Sequence, residues 1–142
     1  MIIKGMVQDL VQQSRKWTDE TRASMCTSAL RQIAEEFAGE DAYALRDFIF
    51  CLLRVGVSGD HVCSQAELKL YRKVINPKIS ADEFFALTNH GDGLEFVTAI
   101  DEVVDSFDTD AKFACCTFIL CFLSADHKVT KEEEELIIRL FQ

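Results

Sequence analysis

At 142 residues the chain has the size of one domain and can bury roughly two thirds of the surface its unfolded form exposes. Its 49% hydrophobic against 27% charged content excludes disorder, and no apolar run nears the roughly 20 residues of a membrane helix. Net charge is −9 and uneven: residues 1–79 carry 11 Lys+Arg against 10 Asp+Glu, residues 80–142 carry 4 against 14, so nucleic acid is excluded as a partner and a cation or a basic protein surface suits the chain better.

The N-terminus, Met1-Ile2-Ile3-Lys4-Gly5, lacks the charged-then-apolar layout of a signal peptide, so a soluble cytoplasmic protein without membrane insertion is expected, with residues 1–142 forming a single domain. Apolar residues recur at helical spacing along nearly the whole chain. Val7, Leu10, Val11 and Trp17 make a first stripe. Thr18 and Asp19 open a second helix whose face is Cys26, Ala29, Leu30, Ile33 and Phe37, with Gly39 as its stop. A third, from about Asp41, carries Leu45, Phe48, Ile49, Leu52 and Leu53. Ser64 opens the fourth, with Leu68, Tyr71, Val74 and Ile75, which stops before Pro77. Ser80 and Glu83 start a short fifth with Phe84, Phe85 and Leu87, and Asn89-His90-Gly91-Asp92-Gly93 is a loop. Phe96, Val97, Ile100, Val103 and Val104 mark the sixth, the seventh runs from about Asp110 to Ser124, and the eighth from Thr130 to Phe141. β-branched residues never alternate cleanly with polar ones. The fold class is all-α, a compact bundle of seven or eight helices.

The chain also repeats itself. Ser58-Gly59-Asp60-His61-Val62-Cys63-Ser64-Gln65-Ala66-Glu67 and Ser124-Ala125-Asp126-His127-Lys128-Val129-Thr130-Lys131-Glu132-Glu133 superpose at a constant offset of 66, the difference between 126 and 60. The same offset sets Leu45 on Ala111, Arg46 on Lys112, Leu52 on Phe118, Leu70 on Leu136 and Val74 on Leu140; Arg54 opposite Leu120 breaks it. This implies a duplicated helix-turn-helix pair, with units at about 41–76 and 107–142.

Two readings of the repeated polar residues stand side by side. Ser64 with Glu67, and Thr130 with Glu133, form capping boxes, and Ser80 with Glu83 makes another outside the repeat. His61 and His127 suit the positive φ of a tight turn, and Asp60 and Asp126 can bond turn amides. Duplicated units that pack about a local twofold can also bring equivalent loops together. Asp60, Glu67, Asp126 and Glu133 would then offer oxygen ligands to calcium or magnesium, and His61 and His127 would admit zinc. The loops are not EF-hands, because the alternating acids and the central glycine are missing.

The segment Ser124-Ala125-Asp126-His127-x-Val129-Thr130-x-x-Glu133-x-x-Leu136-Ile137 resembles the hallmark of TerB-like domains, named for a tellurite-resistance protein. Loops of that family read Ala-Asp-Gly-x-Val-(Ser/Thr)-x-x-Glu, often twice in one all-helical domain. The resemblance covers about residues 20–142, and Ser58 to Glu67 is a looser copy with Gly59 in place of alanine. It implies a compact helical domain with an acidic metal-binding centre, acting as an accessory module in tellurite and other chemical stress responses. Carried onto this chain, the family's acidic residues are Asp60, Glu67, Asp126 and Glu133. Histidine replaces the family's glycine in both copies, which favours transition metals over an all-oxygen calcium site.

No catalytic residue is assigned. Ser58 and Ser124 precede Asp-His, but neighbours along a turn rarely face one another, and neither a nucleophile elbow nor a glycine-rich phosphate loop is present. Cys26, Cys51, Cys63, Cys115, Cys116 and Cys121 include no Cys-x-x-Cys spacing, so zinc and thioredoxin signatures are absent. Cys63 falls opposite Val129 and Cys121 opposite Val55, as small hydrophobes would. The set is read as small buried hydrophobes in a reducing compartment; adjacent Cys115 and Cys116 point about 100° apart on a helix, so a reachable thiol with a redox role is the lesser alternative. The expectation is a non-enzymatic TerB-like module that binds a divalent metal; the alternative is a metal-free adaptor whose acidic surface docks a protein partner.

Overall fold

The computed structural model of the chain describes residues 2–57, 64–88, 94–125 and 129–141. Every regular element among them is an α-helix: α1 (Ile2–Ser14), α2 (Asp19–Glu35), α3 (Ala42–Val57), α4 (Gln65–Val74), α5 (Ala81–Thr88), α6 (Leu94–Val104), α7 (Thr109–Leu123) and α8 (Lys131–Phe141). The all-α reading from apolar spacing holds, with eight helices among the described residues. None of them is long and apolar enough to cross a membrane.

Short polar side chains set the starts. Thr18 Oγ1 accepts the Thr21 amide at 3.1 Å ahead of α2. Asp108 Oδ1 accepts the Ala111 amide at 2.8 Å, so α7 begins at Thr109, one residue before the expected start. All three capping boxes form, at Ser64/Glu67, Ser80/Glu83 and Thr130/Glu133. Each satisfies two of the amides that a helix start leaves without a backbone partner. The stop of α2 differs from expectation. Regular helix ends at Glu35, tighter three-residue turns carry the chain on, and Gly39 adopts φ 87°. Phe37 therefore leaves the helix, yet its ring meets those of Phe48 and Phe107 at 5.4 and 6.3 Å and ties the end of α2 to α3 and to the α6–α7 turn.

α7 is the centre of the bundle. Every residue from Ala114 to Leu123 is buried, because α1, α2, α3, α4 and α8 all pack on it. A helix enclosed on all sides needs no polar face, and this one has none beyond its first turn.

The duplication extends further than the letters showed. Shifting α3 and α4 by 66 residues gives 108–123 and 131–140, which coincide with α7 and α8 to within a residue. Packing then matches reciprocally: α2 lies on α7 as α6 lies on α3, α2 meets α4 as α6 meets α8, and α1 lies on α7 as α5 lies on α3. α3 and α7 pack on each other. Such an exchange is what a local twofold produces, with α1–α4 and α5–α8 as halves. The same pattern relates four helices on each side, two more than the helix pair expected from the letters.

Candidate functional site: the groove at the end of α7

The second copy of the repeated segment begins at the C-terminal end of α7. Ser124, fully buried, caps that helix with its amide on the Leu120 carbonyl at 2.9 Å, and its hydroxyl accepts from Arg22 Nε at 3.3 Å. Arg22 itself is only 2% exposed. Its Nη2 donates to the Ser14 carbonyl at the end of α1 (3.2 Å), and its Nη1 lies 3.7 Å from Asp19 Oδ1 in the first turn of α2. A buried guanidinium is costly unless its donors find acceptors, and no buried side-chain polar atom among the described residues lacks a partner. Beyond the turn, Arg15 Nη2 donates to the Val129 carbonyl at 3.4 Å. Two arginines from the α1–α2 region thus hold the described ends of the second turn. Ser124 is thereby an anchored acceptor.

A groove of about 570 Å³ opens beside this cluster, lined by Asp19, Glu20 and Arg22 of α2, Gln65, Ala66, Lys69, Leu70 and Lys73 of α4, and Ala125. The exit of the first turn, at Gln65 and Ala66, and the entry of the second, at Ala125, therefore face one groove. Lys69 Nζ lies 3.6 Å from Asp19 Oδ2 across it, an exposed pair of small energetic weight.

Of the six residues expected to ligate a metal, Asp60, His61, Asp126 and His127 lie outside the described residues. Glu67 and Glu133 are within them. Glu67 is 5% exposed and its Oε1 accepts the Ser64 amide at 3.0 Å; Glu133 Oε1 accepts the Thr130 amide at 2.8 Å. Both carboxylates are employed as caps, and the cation that the structure sets at the end of α7 is the Arg22 guanidinium. No group of three metal-ligating side chains gathers among the described residues. The two glutamates on their own do not make a metal centre, and a metal reading rests on the two Asp-His pairs.

The thiols behave as core residues. Cys26, Cys115, Cys116 and Cys121 are fully buried and unpaired by disulfide; Cys63 lies outside the described residues. Burial, with the Glu36 charge adding to it, pushes the Cys115 thiol up to about 12, and burial drives Cys116 well above its ordinary value. Hydrogen bonding with Cys26, then burial, raises Cys121, whose Sγ donates to the Arg22 carbonyl at 3.6 Å. Half-buried Cys51 is raised by burial against the lowering influence of Arg54. The reading of the cysteines as small buried hydrophobes holds for Cys26, Cys115, Cys116 and Cys121, and the lesser alternative of a reachable thiol at Cys115 or Cys116 does not: two residues 100° apart are both enclosed when the helix is covered on every side.

Arg22 is the residue that sequence reasoning missed. A signal was present, since positions 22, 26, 29 and 33 form one helical stripe whose other members are apolar. A lone charge on such a stripe is either a boundary or a buried anchor. Comparison with family models, with curated proteins and with solved structures finds no match for this chain.

Proposed function

We propose that this chain is a non-enzymatic, TerB-like cytoplasmic accessory module that docks a basic surface of a partner protein through its acidic second half. One observation carries the reading. Asp101, Glu102, Asp105, Asp108 and Asp110 are all exposed around the α6–α7 turn, and none has an ion-pair partner among the described residues. The ion pairs there are all on α2, α3 and α4. Unpaired carboxylates concentrated at one corner create a field that steers a basic partner and repels nucleic acid. Reduced, buried thiols suit a cytoplasmic setting. The stress-response role goes with the family that the doubled segment resembles.

The test neutralises the corner and leaves the Asp108 cap intact: Asp101→Asn, Glu102→Gln, Asp105→Asn and Asp110→Asn together. Crosslinking of the full chain in its native cells, read by mass spectrometry, should join this corner to lysine-rich segments of one partner, and the variant should lose those links while keeping its helical spectrum. Undiminished links in the variant would refute the reading.

A second reading, a divalent cation held by the doubled turn, is supported by the convergence of the first turn's exit and the second turn's entry on one groove. The residues to hold it would be Asp60, His61, Asp126 and His127, together with Glu67 and Glu133. Calorimetric titration with calcium, magnesium and zinc tests it. Binding tighter than about 1 mM that Asp60→Ala and Asp126→Ala each weaken, with helicity kept, would favour it; no heat with any of the three would retire it.

A further inference from the structure

The two halves are unequally covered. α1, of 13 residues, lies on both α7 and α8, whereas its counterpart α5, of 8 residues, packs chiefly on α3. The difference registers in burial. Arg46 and Asp47 of α3 are exposed and Phe50, Cys51 and Arg54 half-buried, while their equivalents at the 66-residue offset, Lys112 and Phe113, are half-buried and Cys116, Thr117 and Leu120 fully buried. Positions 46, 50 and 54, with 47 and 51 beside them, lie four residues apart and so form a single stripe along one side of the helix.

α5 closes only the C-terminal end of that stripe, where Arg54 Nε donates to the Leu87 carbonyl at 3.2 Å. The N-terminal end stays open. Tyr43 is 63% exposed, the Arg46 guanidinium lies 4.7 Å from the centre of its ring, and the same guanidinium lies 5.8 Å from the Phe50 ring. Phe85 of α5 is the other large apolar side chain exposed among the described residues, at 48%. Tyrosine, phenylalanine and arginine, held by mutual stacking, are the residue types that concentrate binding energy in interfaces.

We propose that the outer face of α3 from Tyr43 to Phe50 is a docking site for an amphipathic helix of a partner protein, laid on the turns that α5, shorter than α1, leaves uncovered. The repeat itself specifies the occupant. α1 packs with Val7, Leu10, Val11 and Ser14, all buried and spaced i, i+3, i+4, i+7. The partner helix carries aliphatic side chains at that spacing and a carboxylate for Arg46, whose ion-pair partner Asp47, 3.6 Å away, is itself exposed. The open stretch of two turns is about 10 Å long, so three turns of helix cover it. This face shares no residue with the acidic corner and does not depend on it.

The probe is a fluorescein-labelled 14-residue helical peptide with leucine at positions 4, 7, 8 and 11 and glutamate flanking them, titrated with the full chain by fluorescence anisotropy. Saturable binding with a Kd of about tens of micromolar is expected, weakened at least about tenfold by Phe50→Glu and by the fold-neutral Tyr43→Ala/Arg46→Ala pair, and unchanged by neutralising Asp101, Glu102 and Asp105. No saturation by about 1 mM, or equal binding to wild type and the Tyr43→Ala/Arg46→Ala variant, would overturn the site. Sedimentation velocity guards the choice of occupant: self-association of the wild type that this variant abolishes would give the face to a second copy and refute the partner helix.

Discussion

Arg22→Met removes the guanidinium while keeping an unbranched apolar stem in its place, so it isolates the charge from the packing. Three described interactions go with it, and they are unequal. The Asp19 ion pair, at 3.7 Å with Asp19 68% exposed, is screened by solvent and contributes almost nothing. The Ser14 carbonyl also accepts the Trp17 amide at 3.3 Å, so it is not left without a donor. Ser124 Oγ loses the Arg22 donor inside the protein, at a cost of about 1–3 kcal/mol. Relief of guanidinium desolvation offsets part of the sum, and the net expectation is a loss of about 1–2 kcal/mol. Arg22→Ala adds the removal of roughly three buried methylenes and should cost about 2 kcal/mol more. Urea unfolding followed by far-UV circular dichroism measures both, and the decisive quantity is the coupling in a cycle with Ser124→Ala. A coupling of about 1–2 kcal/mol is expected. Additivity to within about 0.5 kcal/mol would show that the 3.3 Å contact carries no energy and that Arg22 acts through bulk alone.

Ser64→Ala and Thr130→Ala should each cost about 1 kcal/mol and add independently, since each removes one capping hydroxyl from a different helix; differential unfolding of the singles and the double checks this, and strong non-additivity would contradict it. Gly39→Ala should lose about 1–2 kcal/mol, from backbone strain at φ 87° alone, because nothing lies within 4 Å of the added methyl; an unchanged melting temperature would show that the loop relaxes freely. A raised Cys115 thiol means that the native state holds its proton while the unfolded chain releases it. The stability this confers is complete below pH 9 and is lost as pH climbs toward 12, at about 1.4 kcal/mol per pH unit for each such thiol. Cys115→Ala should therefore flatten the alkaline decline by that slope, whatever it costs at neutral pH, and identical slopes between pH 9 and 10.5 would argue against the burial.

Features fixed by neighbours in sequence were readable in advance. The three capping boxes need only residues three apart, and each formed as expected. Helix faces were equally legible, because a 3.6-residue period survives any packing. What failed depends on which helix lies beside which. That neither Cys115 nor Cys116 is reachable could not be read from a helical wheel, because it depends on α7 having no wet side. Phe85 belongs to the apolar set of α5 but stays exposed, because its neighbour Phe84, about 100° round the helix, takes the buried side. Reciprocal packing of α1 with α5 and of α2 with α6 left no trace in the letters, since burying a stripe of a given width tolerates many residue choices. The candidate site was half legible: Glu67 and Glu133 were picked out, yet as caps they explain themselves, and Arg22 escaped notice because a charge reads as surface.

The duplicated turns look alike in sequence, but the helices that reciprocate one another around them differ in charge. In the second, Ser124 is tied to Arg22 of α2 and Val129 to Arg15 just beyond α1. The helices that reciprocate α1 and α2 are α5 and α6, and the chain has no Lys or Arg at all between Lys78 and Lys112. Neither helix can offer Ser58 what Arg22 offers Ser124. Ser124→Ala should therefore cost about 1–3 kcal/mol through the donor it strands, and Ser58→Ala under about 0.5 kcal/mol. Equal costs measured side by side by urea unfolding would mean that the repeat preserves these serines for a reason common to both turns. An unequal pair would place the divergence in electrostatics: the second turn has a buried cation of α2 tied to it, while α5 and α6 carry no Lys or Arg and the α6–α7 corner gathers exposed carboxylates instead.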